Sequence, residues 1–424
     1  MATRRLTIMP VARIHGHGGL EVTSSGSGAT AALMVDEIPR YFEEILVGRH
    51  VAEVPALVSR LCRRCGGGHR LAAALALEDA LGVKVSRQTK LLRELYLHGL
   101  FLESHIHHFF YMALPDFYGA LGVAELRREC PQEMDVADNI IALGRRIQRF
   151  VGGRRVHPVS MVVGGFASLG TSEDLVKIGW AVQRHLRDAE GLVRFAGELR
   201  TPPFLARPVV QRAIRPKGKT YGHLGKTVVT QPGGTAALEA EVNTMREVPV
   251  SYSMASHFLA GGEPCLVGPA ARVNLGHDRL TTRAREALRK AGRQLPCTDP
   301  FFQHVARLVE IVFSFERMMW VNEQLLHEGL QPEPGPVIQP SGRRRGVGAV
   351  ELPQGTCYHD YEVDGGGHVT RARIYPPTAQ VLPQMERDLT ALATAMSDVP
   401  EAELRLSLEM LVRSYDPCFI CAAR

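Results

Sequence analysis

Two short β-type runs, Leu20-Glu21-Val22-Thr23 and Ala31-Ala32-Leu33-Met34-Val35, flank Ser24-Ser25-Gly26-Ser27-Gly28, which predicts a hairpin. Before them, Pro10 to Gly18 ends too rich in glycine for regular structure. Residues 38–48 predict a short amphipathic helix with Phe42, Ile45 and Leu46 on its apolar side and Gly48 as its C-cap. An Ala- and Leu-rich helix is expected over 69–81. A long one is expected over about 88–114, capped near Ser86 and stopped by Pro115. In the long helix Leu91, Leu92, Leu95, Leu97, Phe101 and Leu102 cover more than one face, the pattern of a helix buried in a bundle. Residues 158–170 read as a buried turn or strand. Thr171 and Asp174 have capping-box spacing and open a helix that ends before Pro202. Residues 203–232 read as loops and short strands, 281–292 and 298–329 as helices, and 331–346 as a loop. Residues 347–375 read as two strands around Asp364-Gly365-Gly366-Gly367, and 378–396 and 400–412 as closing helices. The class is α+β, predominantly helical, with a central long-helix bundle and small peripheral β-sheets.

Composition narrows the function. The chain has 424 residues, 45% of them apolar and 22% charged, as in ordinary globular proteins. No apolar run is long enough for a membrane span, and residues 1–10 carry no secretory pattern, so a cytoplasmic location is expected. The net charge of +6 is spread thinly, with Arg343-Arg344-Arg345 as its densest cluster. Without clustering and interleaved aromatics, nucleic acid is not an expected partner. Of eight cysteines, Cys130, Cys265, Cys297 and Cys357 stand alone and read as reduced, half-buried thiols.

The other four form two Cys-x-x-Cys pairs, Cys62/Cys65 and Cys418/Cys421. Cys62 and Cys418 lie 356 positions apart, far more than in a structural zinc motif. Thiolates are soft ligands. Zinc, an iron–sulfur cluster, another transition metal, and four thiols without metal all remain open on spacing alone.

The flanking residues carry more. Arg60-Leu61-Cys62-Arg63-Arg64-Cys65, followed by Gly66-Gly67-Gly68-His69, resembles the N-terminal Arg-x-Cys-Gly-x-Cys-x-x-x-His of nickel–iron hydrogenase large subunits. Asp416-Pro417-Cys418-Phe419-Ile420-Cys421, running on to Arg424, resembles their Asp-Pro-Cys-x-x-Cys-x-x-His/Arg. Pro10 to His17, Arg40 to Glu43, His157-Pro158 with Gly164-Gly165, the segment from Val267-Gly268-Pro269 to Leu275, and Glu351 to Gly355 also have counterparts. The resemblance spans residues 1–424 as one large-subunit domain whose two ends meet at the metal site. Arg413 to Cys418 and Pro377 to Gln380 look most like the cytosolic NAD(P)-linked sulfhydrogenase type.

The resemblance implies nickel held by Cys62, Cys65, Cys418 and Cys421, with Cys65 and Cys421 shared with an iron that carries CO and cyanide. Cys418 would take the proton when H2 is split. His69 matches the family's histidine near a bridging thiolate, and Asp416 orients the last loop. The chain has too few cysteines for its own electron wire, so the resemblance implies an iron–sulfur small subunit and, beyond it, flavin- and NAD(P)-binding subunits. His15 stands where the family has a proton-relaying Glu; a relay is expected of it, against a plain hydrogen bond to the glycine-rich loop. Gln354 stands for the family's Arg beside the metals, and Arg63 for a Gly. Arg424 replaces a C-terminal His, and an ion pair with Glu43 is expected in place of a magnesium ligand. His105, His107 and His108 read as core or interface histidines, and Cys357 as a buried structural thiol. The function implied is the catalytic large subunit, oxidising H2 reversibly to protons and electrons. The departures at 15, 63 and 354 leave a hydrogenase-like sensor or assembly subunit as the alternative.

Overall fold

A computed structural model describes residues 4–25, 28–204, 207–333, 342 and 344–424. Four long helices carry the middle of the molecule: Arg87–His107, Pro131–Gly152, Ser172–Gly197 and Phe302–Glu328. Arg87–His107 packs on Pro131–Gly152, and Phe302–Glu328 fills the space between Arg87–His107 and Ser172–Gly197. Phe302–Glu328 is buried nearly all round in its first half, from Phe302 to Phe315, including the polar Gln303, His304, Arg307 and Glu310. Ser86 and Thr171 cap their helices with side-chain oxygens that accept from the Thr89 and Asp174 N–H groups. Pro131–Gly152 is absent from the expectations above. Its apolar spacing (Met134, Ala137, Ile140, Ile141, Ile147, Val151) is the signal that identifies it.

Small sheets lie around this bundle. Arg4–Ile8, Gly18–Ser25 and Gly28–Val35 form an antiparallel sheet in which Ser25 pairs with Gly28; residues 26 and 27 of the expected turn lie outside the described residues. A mixed sheet joins Cys265–Leu266, Val210–Arg215, Thr227–Gln231 and Gly234–Ala237. The third large sheet is Arg344–Leu352, Gly355–Val363 and Val369–Tyr375. That makes three strands over 347–375, not two. Leu352 pairs with Gly355 across a two-residue turn, Pro353-Gln354, with Gly355 at φ 142°. Most of the expected loop at 331–346, with Arg343, lies outside the described residues. Arg345 pairs with Asp360 across the sheet.

Three helix boundaries also differ. Over 38–48 only Phe42–Leu46 is helical, because Tyr41 sits in the left-handed region at φ 55° and blocks extension backwards. The helix expected at 69 begins at Gly66. Glycine is a poor helix former, but a Cβ at Gly66 would lie 2.2 Å from the Ser59 carbonyl and one at Gly67 1.7 Å from the Tyr96 hydroxyl. Packing overrides propensity there. Pro115 does not stop the long helix. A π-helical turn, His108–Ala113, leads into Leu114–Phe117, where Pro115 occupies a first-turn position that needs no N–H. Among the described residues no helix is long and apolar enough to cross a membrane.

Candidate metal centre

The helix Gly66–Leu81 begins one residue after Cys65, and the helix Glu401–Tyr415 ends just before Asp416-Pro417-Cys418. Between them runs the segment around His15, which pairs with the last cysteine segment as a short parallel bridge. His15 N–H donates to the Pro417 carbonyl at 3.3 Å, and Phe419 N–H donates to the His15 carbonyl at 2.7 Å. Gly18 allows the approach, since a Cβ there would meet the Phe419 ring at 2.6 Å. Arg40 ties the two cysteine loops directly, donating to the Leu61 carbonyl at 2.5 Å and to the Ile420 carbonyl at 3.1 Å. The Thr378 hydroxyl accepts from the Cys418 N–H at 2.9 Å.

The result is a buried ring of four sulfurs. Cys62–Cys65 is 3.4 Å, Cys62–Cys418 3.7 Å, Cys65–Cys421 3.6 Å and Cys418–Cys421 3.0 Å between Sγ atoms. An ion bound tetrahedrally by four thiolates at about 2.3 Å sets its sulfurs roughly 3.8 Å apart. The four residues therefore fit one soft cation with little movement. All are at most 3% exposed. Hydrogen bonds from Cys418, then Cys421 and Cys65, hold the Cys62 thiol well below its ordinary pKa. Cys418, and behind it Cys62, pushes Cys65 and Cys421 well above theirs. Four sulfurs this close carry four charges only around a cation.

Asp416, Gln354 and His15 gather beside the ring. The Gln354 amide donates to Asp416 at 2.7 Å, and its oxygen lies 3.8 Å from the Cys65 sulfur. His15 Nε2 is 3.4 Å from Asp416. Burial opposes ionisation of Asp416, but His108, His15 and the buried Arg307 face it and hold its carboxyl far below the usual range. The hairpin that carries Gln354 is held by Arg272, which donates to the Leu352 carbonyl at 2.9 Å and is itself paired with Glu310 and Glu351. His69 lies on the first turn beyond Cys65, its N–H bonded to the Cys65 carbonyl. Burial lowers its pKa to about 4.

The remaining candidates lie elsewhere. His105 binds Glu310, His107 meets Arg64, and His108 donates to the Arg413 carbonyl. Arg63 is exposed. Arg424 pairs with Glu43 at 3.1 Å and with Glu247 at 2.6 Å, so guanidinium charge stands where the sequence suggests an ion pair. Cys357 approaches His69 Nδ1 to 3.5 Å. Sequence reasoning passed over Thr378 and Arg272 as site residues, although both lie in stretches with family counterparts. It also passed over His359, whose alternation with Cys357 along a strand was the available signal.

A family model described as nickel-dependent hydrogenase matches residues 40–140. The chain is 31% identical to the alpha subunit of sulfhydrogenase 1 of Pyrococcus furiosus, over 98% of this chain and 97% of that one. It is 30% identical to the alpha subunit of sulfhydrogenase 2 of the same organism, over 97% and 96%. An NAD+-reducing NiFe-hydrogenase, solved in its H2-reduced state, has the same fold with a TM-score of 0.87, at 26% identity over 100% of both chains. With cysteine pairs from both ends closing one buried four-sulfur ring inside that fold, the chain belongs to the nickel-dependent hydrogenase family.

Proposed function

We propose that the chain is the catalytic large subunit of a nickel–iron hydrogenase that interconverts H2 with protons and electrons. Cys62, Cys65, Cys418 and Cys421 would hold nickel, and Cys65 and Cys421 would also serve an iron bearing CO and cyanide. The observation that carries this reading is the sulfur ring. Its Cys65–Cys421 edge of 3.6 Å sets the second cysteine of each pair side by side, where a second ion can share them.

When bound, the centre supplies the soft site at which H2 is polarised and its electrons are taken up. The chain supplies the rest. The Cys418 thiolate takes the proton. His15 is fixed to the Cys418 segment through its backbone and passes the proton on, its ring held by the Asp416 carboxylate. An imidazole suits that task because one ring nitrogen can accept a proton while the other donates one. Gln354 holds Asp416 by a neutral amide and keeps one side of the ring polar without charge. His69 backs the bridging thiolates. Electrons leave to an iron–sulfur small subunit and from there to flavin- and NAD(P)-reducing subunits. Residues 1–424 act as one large-subunit domain, working in the cytoplasm.

Infrared spectroscopy of the complex purified from its own host, with metal analysis of the same sample, tests the reading. Bands in the CO and cyanide stretching region with one nickel per chain are expected. Zinc in the ring, or no such bands, overturns it. Bands and nickel without hydrogen turnover favour a sensor.

A further inference from the structure

Behind His69 lies a second buried cluster that the centre does not use. Residues 357, 359 and 361 alternate along the strand Gly355–Val363, and the two-residue period sets Cys357, His359 and Tyr361 on one face. That strand packs on the helix Gly66–Leu81, which carries His69. All four side chains are fully buried. The contacts form a line: Tyr361 Oη to His359 Nδ1 at 2.5 Å, and His359 Nε2 to His69 Nδ1 at 3.0 Å. Cys357 Sγ joins at 3.5 Å from the same His69 Nδ1. Among the described residues His69 Nε2 has no hydrogen-bond partner.

The protons can be placed by counting. Both rings are fully buried and their ring-nitrogen contacts among the described residues are each other, Cys357 and Tyr361, with no carboxylate to balance an imidazolium, so each is neutral and carries one N–H. Burial raises the Cys357 thiol, which keeps its proton. Tyr361 has His359 as its hydrogen-bond partner among the described residues. A buried hydroxyl that only accepted would leave its own proton unpaired at a free-energy cost, so Tyr361 donates. His359 Nδ1 is then the acceptor, and its N–H is on Nε2, pointing at His69 Nδ1. The Cys357 S–H reaches the same nitrogen. Two donors converge on His69 Nδ1, so the proton of His69 sits on Nε2.

We propose that Tyr361, His359 and Cys357 are positioning residues that fix the proton of His69 on Nε2, so that its ring offers the thiolates of the centre an N–H donor and not a lone pair. His69 is one helical turn beyond Cys65, and helical side chains lean toward the N-terminus, over the turn that Cys65 opens. Its ring also feels the charge of Cys62. An N–H aimed at a metal-bound thiolate draws electron density from the sulfur and favours the reduced centre. That effect rests on the proposed nickel site; the tautomer itself does not.

Neutron diffraction from deuterated crystals of the purified complex reads the tautomer directly. A deuteron on His69 Nε2 and none on Nδ1 is the expected result. A deuteron on Nδ1, or a metal ion shared by His69, Cys357 and His359, overturns the proposal. The double variant Tyr361→Phe/Cys357→Ala is the second test. With both anchoring donors lost, its midpoint potential is expected to fall and H2 oxidation to slow by about two- to tenfold, the effect of one hydrogen bond. KM and nickel content stay as in the wild type. An unchanged potential in a nickel-replete double variant overturns the proposal. Should that variant lose its nickel, the wild-type neutron map alone decides. A nickel-free complex with the deuteron on Nε2 would keep the tautomer and remove only the function proposed for the centre.

Discussion

Asp416 sits at φ 54°, in the left-handed region, where it ends the helix Glu401–Tyr415 and turns the chain toward Cys418. Asp tolerates this region better than most residues, and the position lets one carboxylate meet both Gln354 and His15. Two variants probe what those neighbours do. His15→Ala is expected to slow H2/D2O exchange by about 10²-fold, the usual size of a lost general acid–base, with nickel content unchanged. Exchange at the wild-type rate would remove His15 from the proton route. Gln354→Arg sets a guanidinium against the Asp416 carboxylate and beside Cys65. A changed rate of H2 oxidation at full nickel occupancy is expected, and steady-state assays with metal analysis check it. The four cysteines stood out in the sequence as two Cys-x-x-Cys pairs, and Asp416 and Gln354 through the resemblance of their flanking residues to the family's motifs, Gln354 as a departure from them. Thr378 and Arg40 were not legible as site residues, because each acts through hydrogen bonds to the backbone of distant loops.

Among the elements, the helix Gly66–Leu81 and the strand Arg344–Leu352 lie backbone to backbone. A Cβ at Gly346 would stand 2.2 Å from the Ala76 carbonyl oxygen, and one at Gly348 2.3 Å from that of Ala72. Ala72, Ala76 and Ala80 line the facing side of the helix at spacings of four. Gly348→Val is expected to cost more than about 3 kcal/mol, because the atoms in the way are backbone and cannot turn aside. Thermal denaturation checks this, and a midpoint within a few degrees of wild type would show that the contact yields. The same contact explains which elements could be read in advance. Ser86 and Thr171 announce their helices through bonds made within one turn. Gly68, Gly346 and Gly348 answer to partners hundreds of residues away, and Gly67 to Tyr96 on the next helix, and local pattern carries no trace of those. The turn at Pro353-Gln354 was missed for a related reason, since its two strands are buried on both faces and show no apolar–polar alternation to mark where one ends and the next begins.

At the scale of the whole molecule, buried ionisable groups set the response to acid. Burial lowers the pKa of His105 and His223 to about 4 and of His304 to about 3, from 6.5. Below pH 6.5 the unfolded chain binds protons that these folded sites refuse. Their contribution is whole above pH 6.5 and is lost as the pH falls toward 4, at about 3 kcal/mol for each. Asp388 works the other way. Burial raises its pKa to about 6, so its contribution is present below pH 4 and lost as the pH rises through 6. Three histidines outweigh one carboxyl. Denaturant midpoints are expected to fall steadily from pH 6.5 to pH 4, and a flat profile would refute this assignment. Asp388→Asn is expected to make the fall steeper over the same range, since it removes an opposing group. The helical bundle was legible from long apolar periodicities. These buried ionisable groups were not, because their surroundings come from distant parts of the chain, as His105 meets Glu310.

The bridge between the His15 segment and the Cys418 segment has a consequence in time. Cys62 and Cys418 are 356 positions apart. At the ribosome's pace of 5–20 residues per second, the first thiol pair meets the cell roughly 20–70 s before the second. For that interval Cys62 and Cys65 form a bare dithiol, exposed to oxidants and to any thiophilic ion that arrives first. Synthesis thus leaves a window in which something must guard half a binding site against premature occupation.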